Sequence, residues 1–424
     1  MRHQEQANAQ ESRQPPSCGA TIMQWAAELA RHSESPEWLT RTYLTDAHHG
    51  AAAQLAQWMR QAGMQVRRDA AGNVIGRYEG STPQAPALLT GSHFDTVRNG
   101  GHYDGNLGVI LPIACVARWH AQGKRFPFAI EVIGFAEEEG VRFKATLLGS
   151  RAIAGTFDTA VLDKRDEQNL SMREVMAAAG FDAQALHAAA FDRAQVLAYL
   201  EVHIEQGPVL LDAGLPVGVV SAISGASRFL VHVTGLAGHA GTVPMGLRRD
   251  AAMAAAEIGL YIERRCSGIA GLVGTVGQFN VPNGAANVVP GNAIFTIDIR
   301  AGNDAVRLAA VRDVLAELEA VAERRQVQVS ASRTHEAESV PCAPWLQQQL
   351  GDAIGDLGLP LRVLPSGAGH DAMAIAALTE VAMLFVRCGN GGISHHPDES
   401  MTAQDADTAA EVFTRFVERF TPCA

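Results

Sequence analysis

The sequence predicts an α/β protein: a mixed, largely parallel sheet flanked by helices, with a smaller α+β unit inserted into it. Three observations carry this. The runs "PALLTGSHFDTV" and "FAIEVIGFAEEE" are short and nearly all apolar, as strands buried on both faces of a parallel sheet are. An apolar helix-length stretch, 107–121, lies between them. Near residue 222 the pattern changes to alternating strands and long helices in the order β-α-β-β-α-β, a split βαβ unit. A chain of 424 residues also exceeds one ordinary core, so two domains are expected.

The elements follow in order. Residues 22–63 read as helices, with Trp25, Leu29, Leu55, Trp58 and Met59 at helical spacing. "NVIGRYEG" is a strand ending in a turn, and the two apolar strands and their helix come next. "RFLVHVTG" opens the inserted unit as an alternating strand, followed by the helix "RRDAAMAAAEIGLYIERRC". The strands "LVGTVGQFNV" and "AIFTIDIR", the helix "AVRLAAVRDVLAELEAVAERR" and the strand "VQVSASRTHE" complete it. The chain then returns to the first domain through a helix at 343–357, the strand "VAMLFVRC" and a last helix at 403–420. The expected division is a tail over 1–20, a catalytic domain over 21–221 and 337–424, and a lid over 222–336.

Composition excludes several classes. The net charge of −11 argues against nucleic acid, which needs a basic surface. An anionic substrate must then be captured by a local cation, against the overall field. No apolar run reaches the ~18 residues a membrane span needs, so no membrane partner is expected. "MRHQEQANAQESRQPPS" has no apolar core and reads as a disordered tail, not a signal peptide. Six scattered cysteines without a C-x-x-C pair fit reduced thiols in the cytoplasm.

Histidines and acids gather where loops leave strands, and the carboxyl ends of parallel strands are where such sheets do chemistry. The segments are "GSHFDTV" (His93, Asp95), "HYDGNLG" (Asp104), "AEEEG" (Glu137, Glu138, Glu139), "EVHIEQG" (His203, Glu205, Gln206) and "GGISHHPDE" (His395, His396). Three adjacent carboxylates after a buried strand repel one another and need water or a compensating cation. Three histidines and two acids make a shell for two borderline metal ions sharing a bridging Asp. Each piece alone is weak; five together are not.

The sequence resembles the di-metal amidohydrolases of the aminoacylase and carboxypeptidase G clan, and more narrowly the hydantoinase/carbamoylase family. The likeness runs from about residue 22 to 420. It rests on "GSHFDTVRNGGHYDGNLG", "AEEEGVRF", "EVHIEQGPVL", "GHAGTVPMGLRRDA", "NVVPG", "FTIDIR", "SGAGHDA" and "GGISH". It implies a di-metal exopeptidase-like catalytic domain plus an inserted lid that dimerises. Under the resemblance His93 and His203 hold one metal, Glu139 and His395 the other, and Asp104 bridges them. Asp95 orients an imidazole, and Glu138 is the general base, leaving Glu137 to face solvent or support the loop. His396 follows where relatives more often carry Asn or Ser, and is expected to hydrogen-bond at the rim.

From the lid, the resemblance implies an oxyanion-stabilising His239 that reaches the site of a neighbouring subunit, a substrate-binding Asn287, and Arg300 forked onto a substrate carboxylate. Gln206 and His370 complete the pocket, and Gly367 and Gly369 offer backbone amides near a helix start at Asp371. The implied activity is cleavage of a linear ureido C–N bond in a small anionic substrate by a homodimer carrying two divalent ions, manganese or zinc, with cobalt or nickel also suited to the ligands. The likeness is closest to allantoate amidohydrolases, with N-carbamoyl-L-amino acid hydrolases and β-ureidopropionase next. "HIEQGP" and "SGAGHDA" speak against a dipeptidase or aminoacylase. A non-catalytic binding protein on this fold should have lost ligands or base, and all are present.

Overall fold

The structure is a computed structural model, described here over residues 17–423. The tail expected over 1–20 lies mostly outside the described residues. Its last residues are instead helical: Cys18–Leu29 is a helix whose N-terminus is capped by the Ser17 side chain, which accepts the Ala20 N–H. The Gly19 N–H reaches Asp407 Oδ1 at 2.5 Å and ties this helix to the C-terminal helix Ala403–Arg419.

A nine-stranded sheet forms the main body. From one edge its order is Gln65–Arg68, Val74–Tyr78, Ala129–Phe135, Ala87–His93, Val196–Ile204, Val381–Val386, Val217–Ile223 and Val340–Pro341, with Val363–Ser366 also paired to Val217–Ile223. The four central strands, from Ala129–Phe135 to Val381–Val386, run parallel, and the flanks are mostly antiparallel. Every residue of Ala87–His93 and of Ala129–Phe135 is buried, which explains their apolar composition. Glu131, charged and buried among them, is held by Arg67 at 3.0 Å and Arg77 at 2.9 Å. The helix Asn106–Ala121 packs apolar on nearly every side against this sheet, which is why its sequence shows little amphipathic contrast.

The second sheet is antiparallel and has its own core. Its order is Phe279–Asn280, Asn292–Ala301, Gly225–Thr234, Gln328–Ala337, with Leu272–Thr275 also paired to Asn292–Ala301. The helices Ala251–Cys266 and Asp304–Arg325 cover one face. This is the split βαβ arrangement the sequence pattern indicates. Alternation along Asn292–Ala301 is strict, with Ala293, Phe295, Ile297 and Ile299 inward. Thr296, Asp298 and Arg300 therefore share the face the helices leave open.

Candidate metal centre

Three neighbouring parallel strands deliver the cluster. His93 is the last residue of its strand and pairs with Phe135, so "AEEEG" leaves the sheet beside it. His203 lies one residue from the end of the next strand. Asp104 comes from the loop that starts the helix Asn106–Ala121. That loop needs Gly105: φ is +66°, and a Cβ there would lie 2.4 Å from His93 Cε1.

Hydrogen bonds fix the imidazoles. His203 Nδ1 meets the Ile204 carbonyl at 2.8 Å, and His93 Nδ1 meets the Asp95 carbonyl at 3.1 Å. A carbonyl only accepts, so Nδ1 carries a proton in both rings and Nε2 is the nitrogen turned towards the cluster. The Gly105 N–H lies 3.2 Å from His203 Nε2. Both Nε2 atoms face one carboxylate oxygen: Asp104 Oδ1 is 3.3 Å from His203 Nε2 and 3.6 Å from His93 Nε2. The other oxygen, Oδ2, is 3.1 Å from His395 Nε2, which is 3.5 Å from Glu139 Oε1. Asp104 thus divides two donor sets, His93–His203–Asp104 and Asp104–Glu139–His395, each compact enough to hold a metal ion.

The electrostatics ask for cations. At an effective dielectric of about 20, like charges about 4 Å apart repel by about 4 kcal/mol. Burial raises the Glu139 carboxyl to about 7, and Asp104 adds to it. Burial also opposes charge on the His93 ring, but hydrogen bonds to Asp104 and Asp95 outweigh it and raise that ring well above its usual value. His395 is raised to about 9, chiefly by its hydrogen bond to Asp104. The cluster draws positive charge, and its mixed N/O donors fit borderline divalent metals.

Asp95 ties the two halves together. Its Oδ1 and Oδ2 accept the N–H groups of Glu138 and Glu139 at 3.0 and 3.1 Å, and Oδ1 lies 3.4 Å from His93 Nδ1. Glu138 lines the cleft, with a carboxylate oxygen close to His93 and Glu139. Burial raises its carboxyl well above the ordinary value; the His93 charge opposes this, and Glu139, Asp371 and Asp95 reinforce it. Glu137 does not face solvent. It is fully buried, raised well above its usual value by burial and by Asp95 and Glu139, and its carbonyl accepts the Leu148 N–H at 2.7 Å. Glu137 lies two residues beyond the end of its strand, where its carbonyl ties the loop to the start of the helix Leu148–Ile153.

A cleft of about 750 Å³ joins these residues to Gln206, Arg300, Gly367 and Gly369. The Gln206 amide donates to Asp104 Oδ2 at 3.0 Å. His370 sits behind the wall: its ring packs edge-on to His203 at 4.5 Å, and its Nε2 meets Ser366 Oγ at 2.7 Å. Gly367 offers its carbonyl, at 2.8 Å from Arg300 Nη1. His239 and Asn287 are neighbours in the lid, where the Ala240 N–H reaches the Asn287 carbonyl at 2.9 Å and His239 pairs with Val288. Neither lines the cleft of its own chain. His396 turns to the rim, where the Asp398 N–H reaches its Nδ1 at 3.1 Å.

Sequence reasoning passed over several supports. Glu399 Oε1 accepts the Tyr103 and Asp104 N–H groups at 2.9 and 3.2 Å, and its Oε2 accepts the Ser394 hydroxyl at 2.8 Å, so it binds the Asp104 loop to the His395 loop. The signal was an acid four residues after His395. Glu201, fully buried in its strand, accepts from Ser92 Oγ at 2.7 Å and the Ala372 N–H at 2.9 Å beneath His203. An acid inside an apolar strand was the signal there. Arg228 and the exposed His335, both lining the cleft, carried none.

Fold and cluster together define a two-sheet α/β protein with a candidate metal-binding centre at the strand ends of its main sheet. The chain belongs to peptidase family M20/M25/M40, whose profile matches residues 89–419. It is 39% identical over 422 residues to allantoate deiminase 1 of Glycine max, covering 92% of this chain and 87% of that protein. It is 40% identical over 395 residues to the N-carbamoyl-L-amino acid amidohydrolase of Geobacillus stearothermophilus, covering 93% and 96%. The crystal structure of a hydantoinase/carbamoylase family amidase from Burkholderia multivorans superposes with a TM-score of 0.89 at 29% identity, covering 94% of this chain and 97% of that one. The likeness to this family and the fold it implies are thus borne out.

Proposed function

We propose that the chain hydrolyses a linear ureido C–N bond in a small carboxylated substrate. Allantoate is the first candidate and N-carbamoyl-L-amino acids the second, which the similarity to the Geobacillus stearothermophilus protein supports. The observation that carries the reading is the pair of donor sets divided by Asp104, with Glu138 beside them and Arg300 on the same cleft.

His93, His203 and Asp104 would hold one divalent ion, and Asp104, Glu139 and His395 a second, manganese or zinc being the first choices. Such ions, when bound, supply Lewis acidity to the carbonyl and ease ionisation of water. Glu138 takes the proton of the attacking water on its carboxylate and returns it to the leaving nitrogen. Asp95 keeps the His93 ring aligned, and Arg300 orients the substrate carboxylate. A carbamoyl amino acid and one water then give amino acid, ammonia and carbon dioxide; allantoate gives a ureidoglycine-type product.

We also place His239 and Asn287 in the cleft of a partner subunit, through a homodimer joined by the lids. Their neighbouring positions away from their own cleft support this, as do the exposed Leu236, Met245 and Leu247 beside them. A cytoplasmic location is supported by six unpaired cysteines. Among the described residues no helix is long and apolar enough to cross a membrane.

The test is a substrate panel with metal analysis: allantoate, N-carbamoyl-β-alanine, N-carbamoyl-L-amino acids and N-acetyl amino acids, each with added manganese. Turnover confined to N-acetyl amino acids would exclude the ureido reading.

A further inference from the structure

Arg300 does not stand alone on the open face of the lid sheet. Its Nε and Nη2 both donate to Asp298, at 3.0 and 2.8 Å, and Nη1 donates to the Gly367 carbonyl at 2.8 Å. Asp298 lies directly opposite Arg228 in the strand register, and Arg228 Nε donates to the same carboxylate at 3.0 Å. Asp298 thus sits between two guanidinium groups. Its bidentate contact occupies the side of the Arg300 fork, which leaves donors at the outer end of Arg300 and on Arg228. Two cations and one carboxylate leave one net positive charge, enough to balance one carboxylate. Arg228, Arg300 and Gly367 line both the cleft and a second cavity of about 720 Å³ across the sheet face.

We propose that Arg228 is a second cation of the carboxylate-recognition site, and that Asp298 is the positioning residue that holds Arg228 and Arg300 as one unit. This rests on the proposed ureido-acid activity, where Arg300 alone was assigned to the carboxylate. The physical reason is preorganisation. A long arginine side chain loses rotamer entropy on binding, and a carboxylate that fixes its fork in advance has already met that cost. The split charge also sets specificity: an acid is favoured over its amide, and a second carboxylate on the substrate meets Asp298.

The test reads binding. The Glu138→Gln protein, loaded with metal, is titrated calorimetrically with N-carbamoylglycine, its carboxamide and N-carbamoyl-L-aspartate. The acid should bind at least about tenfold tighter than the amide, as charge-assisted forked hydrogen bonds do over neutral ones. Added to this background, Arg228→Ala should reduce that ratio at least about fivefold, as should Asp298→Asn, where loss of the held forks outweighs the added positive charge, while Arg228→Lys keeps part of it. Asp298→Asn should also improve N-carbamoyl-L-aspartate relative to N-carbamoylglycine. A purely structural defect weakens acid and amide alike and leaves the ratio where it was. An unchanged ratio in Arg228→Ala or Asp298→Asn overturns the proposal, as does a parent that binds acid and amide equally. If the unmodified enzyme turns over no ureido substrate yet keeps the acid preference and its dependence on Asp298, the ureido reading falls and the arginine unit stands.

Discussion

His203 and His239 are both histidines that the family resemblance assigns to one site, and they live in opposite surroundings. His203 is buried in a central parallel strand, its Nδ1 committed to a carbonyl at 2.8 Å and its ring packed on His370. His239 is exposed on a two-residue strand, and its one side-chain bond accepts the Gly241 N–H at 3.0 Å. The metal centre is therefore determined many times over within one chain. The lid histidine is held loosely, in a place where it has nothing of its own chain to act on. In the site proposed above, the first makes a rigid half and the second a loose one.

The largest test of the rigid half is Glu138→Gln. Loss of a general base costs about 10²–10⁴-fold in kcat. Both metal ions should remain, because Glu138 adds no atom to either donor set that includes Asp104. A variant with unchanged metal content and more than about a tenth of wild-type kcat would remove Glu138 from the chemistry.

For the loose half, His239→Ala should cost about 10²–10³-fold, the range seen when an oxyanion donor is lost. Its melting temperature should stay put, since the ring is exposed. Co-expression with Glu138→Gln breaks or sharpens the contrast. In random twofold dimers half the assemblies are mixed, and each mixed dimer holds one intact site, so about a quarter of wild-type activity should return. No rescue, with mixing demonstrated, would mean that His239 serves its own chain.

The same contrast explains what the sequence could and could not reveal. The rigid half was legible because strand ends are legible: an apolar run that stops at a histidine or an acid announces both the sheet and the group it presents. Glu137 shows the limit. Three identical letters in a row carry no direction, and contacts of the loop with Asp95 and Leu148, distant in sequence, decide which one turns inward. Glu399 and Glu201 were passed over because their work is to accept N–H and O–H groups from segments distant in sequence. In the lid, the alternation of Asn292–Ala301 gave the strand, but the pairing of Arg228 with Asp298 depends on register, which no local pattern states. The first helix starts earlier than its periodicity suggests because its opening turn is secured by Ser17 and by Asp407, far along the chain.

A milder perturbation of the rigid half is Asp95→Asn. The change keeps the shape and removes the charge that accepts the Glu138 and Glu139 N–H groups. Outer partners of metal-binding histidines are worth about 10–100-fold in metal affinity or activity. Metal titration followed by activity at saturating metal separates the two. The loss should fall mainly on affinity, since Asp95 contacts a ligand and the ligand loop and does not line the cleft.

The smallest effect expected comes from the residue next to a proposed ligand. His395 and His396 are adjacent histidines, and the sequence alone does not separate them. His395 takes φ +55°, a left-handed turn that swings its ring inward to 3.1 Å from Asp104 Oδ2. His396 then faces the rim, 3.7 Å from Asp398 at the surface. Exposed pairs of this kind are worth about 0–1 kcal/mol. His396→Ala should keep kcat within about twofold and its full metal content, whereas His395→Ala should lose one ion and most of its activity. Mass spectrometry of the intact holoprotein under native conditions counts the ions directly. If the two variants lose metal equally, the backbone turn does not separate the two rings in solution, and His396 belongs to the centre as well.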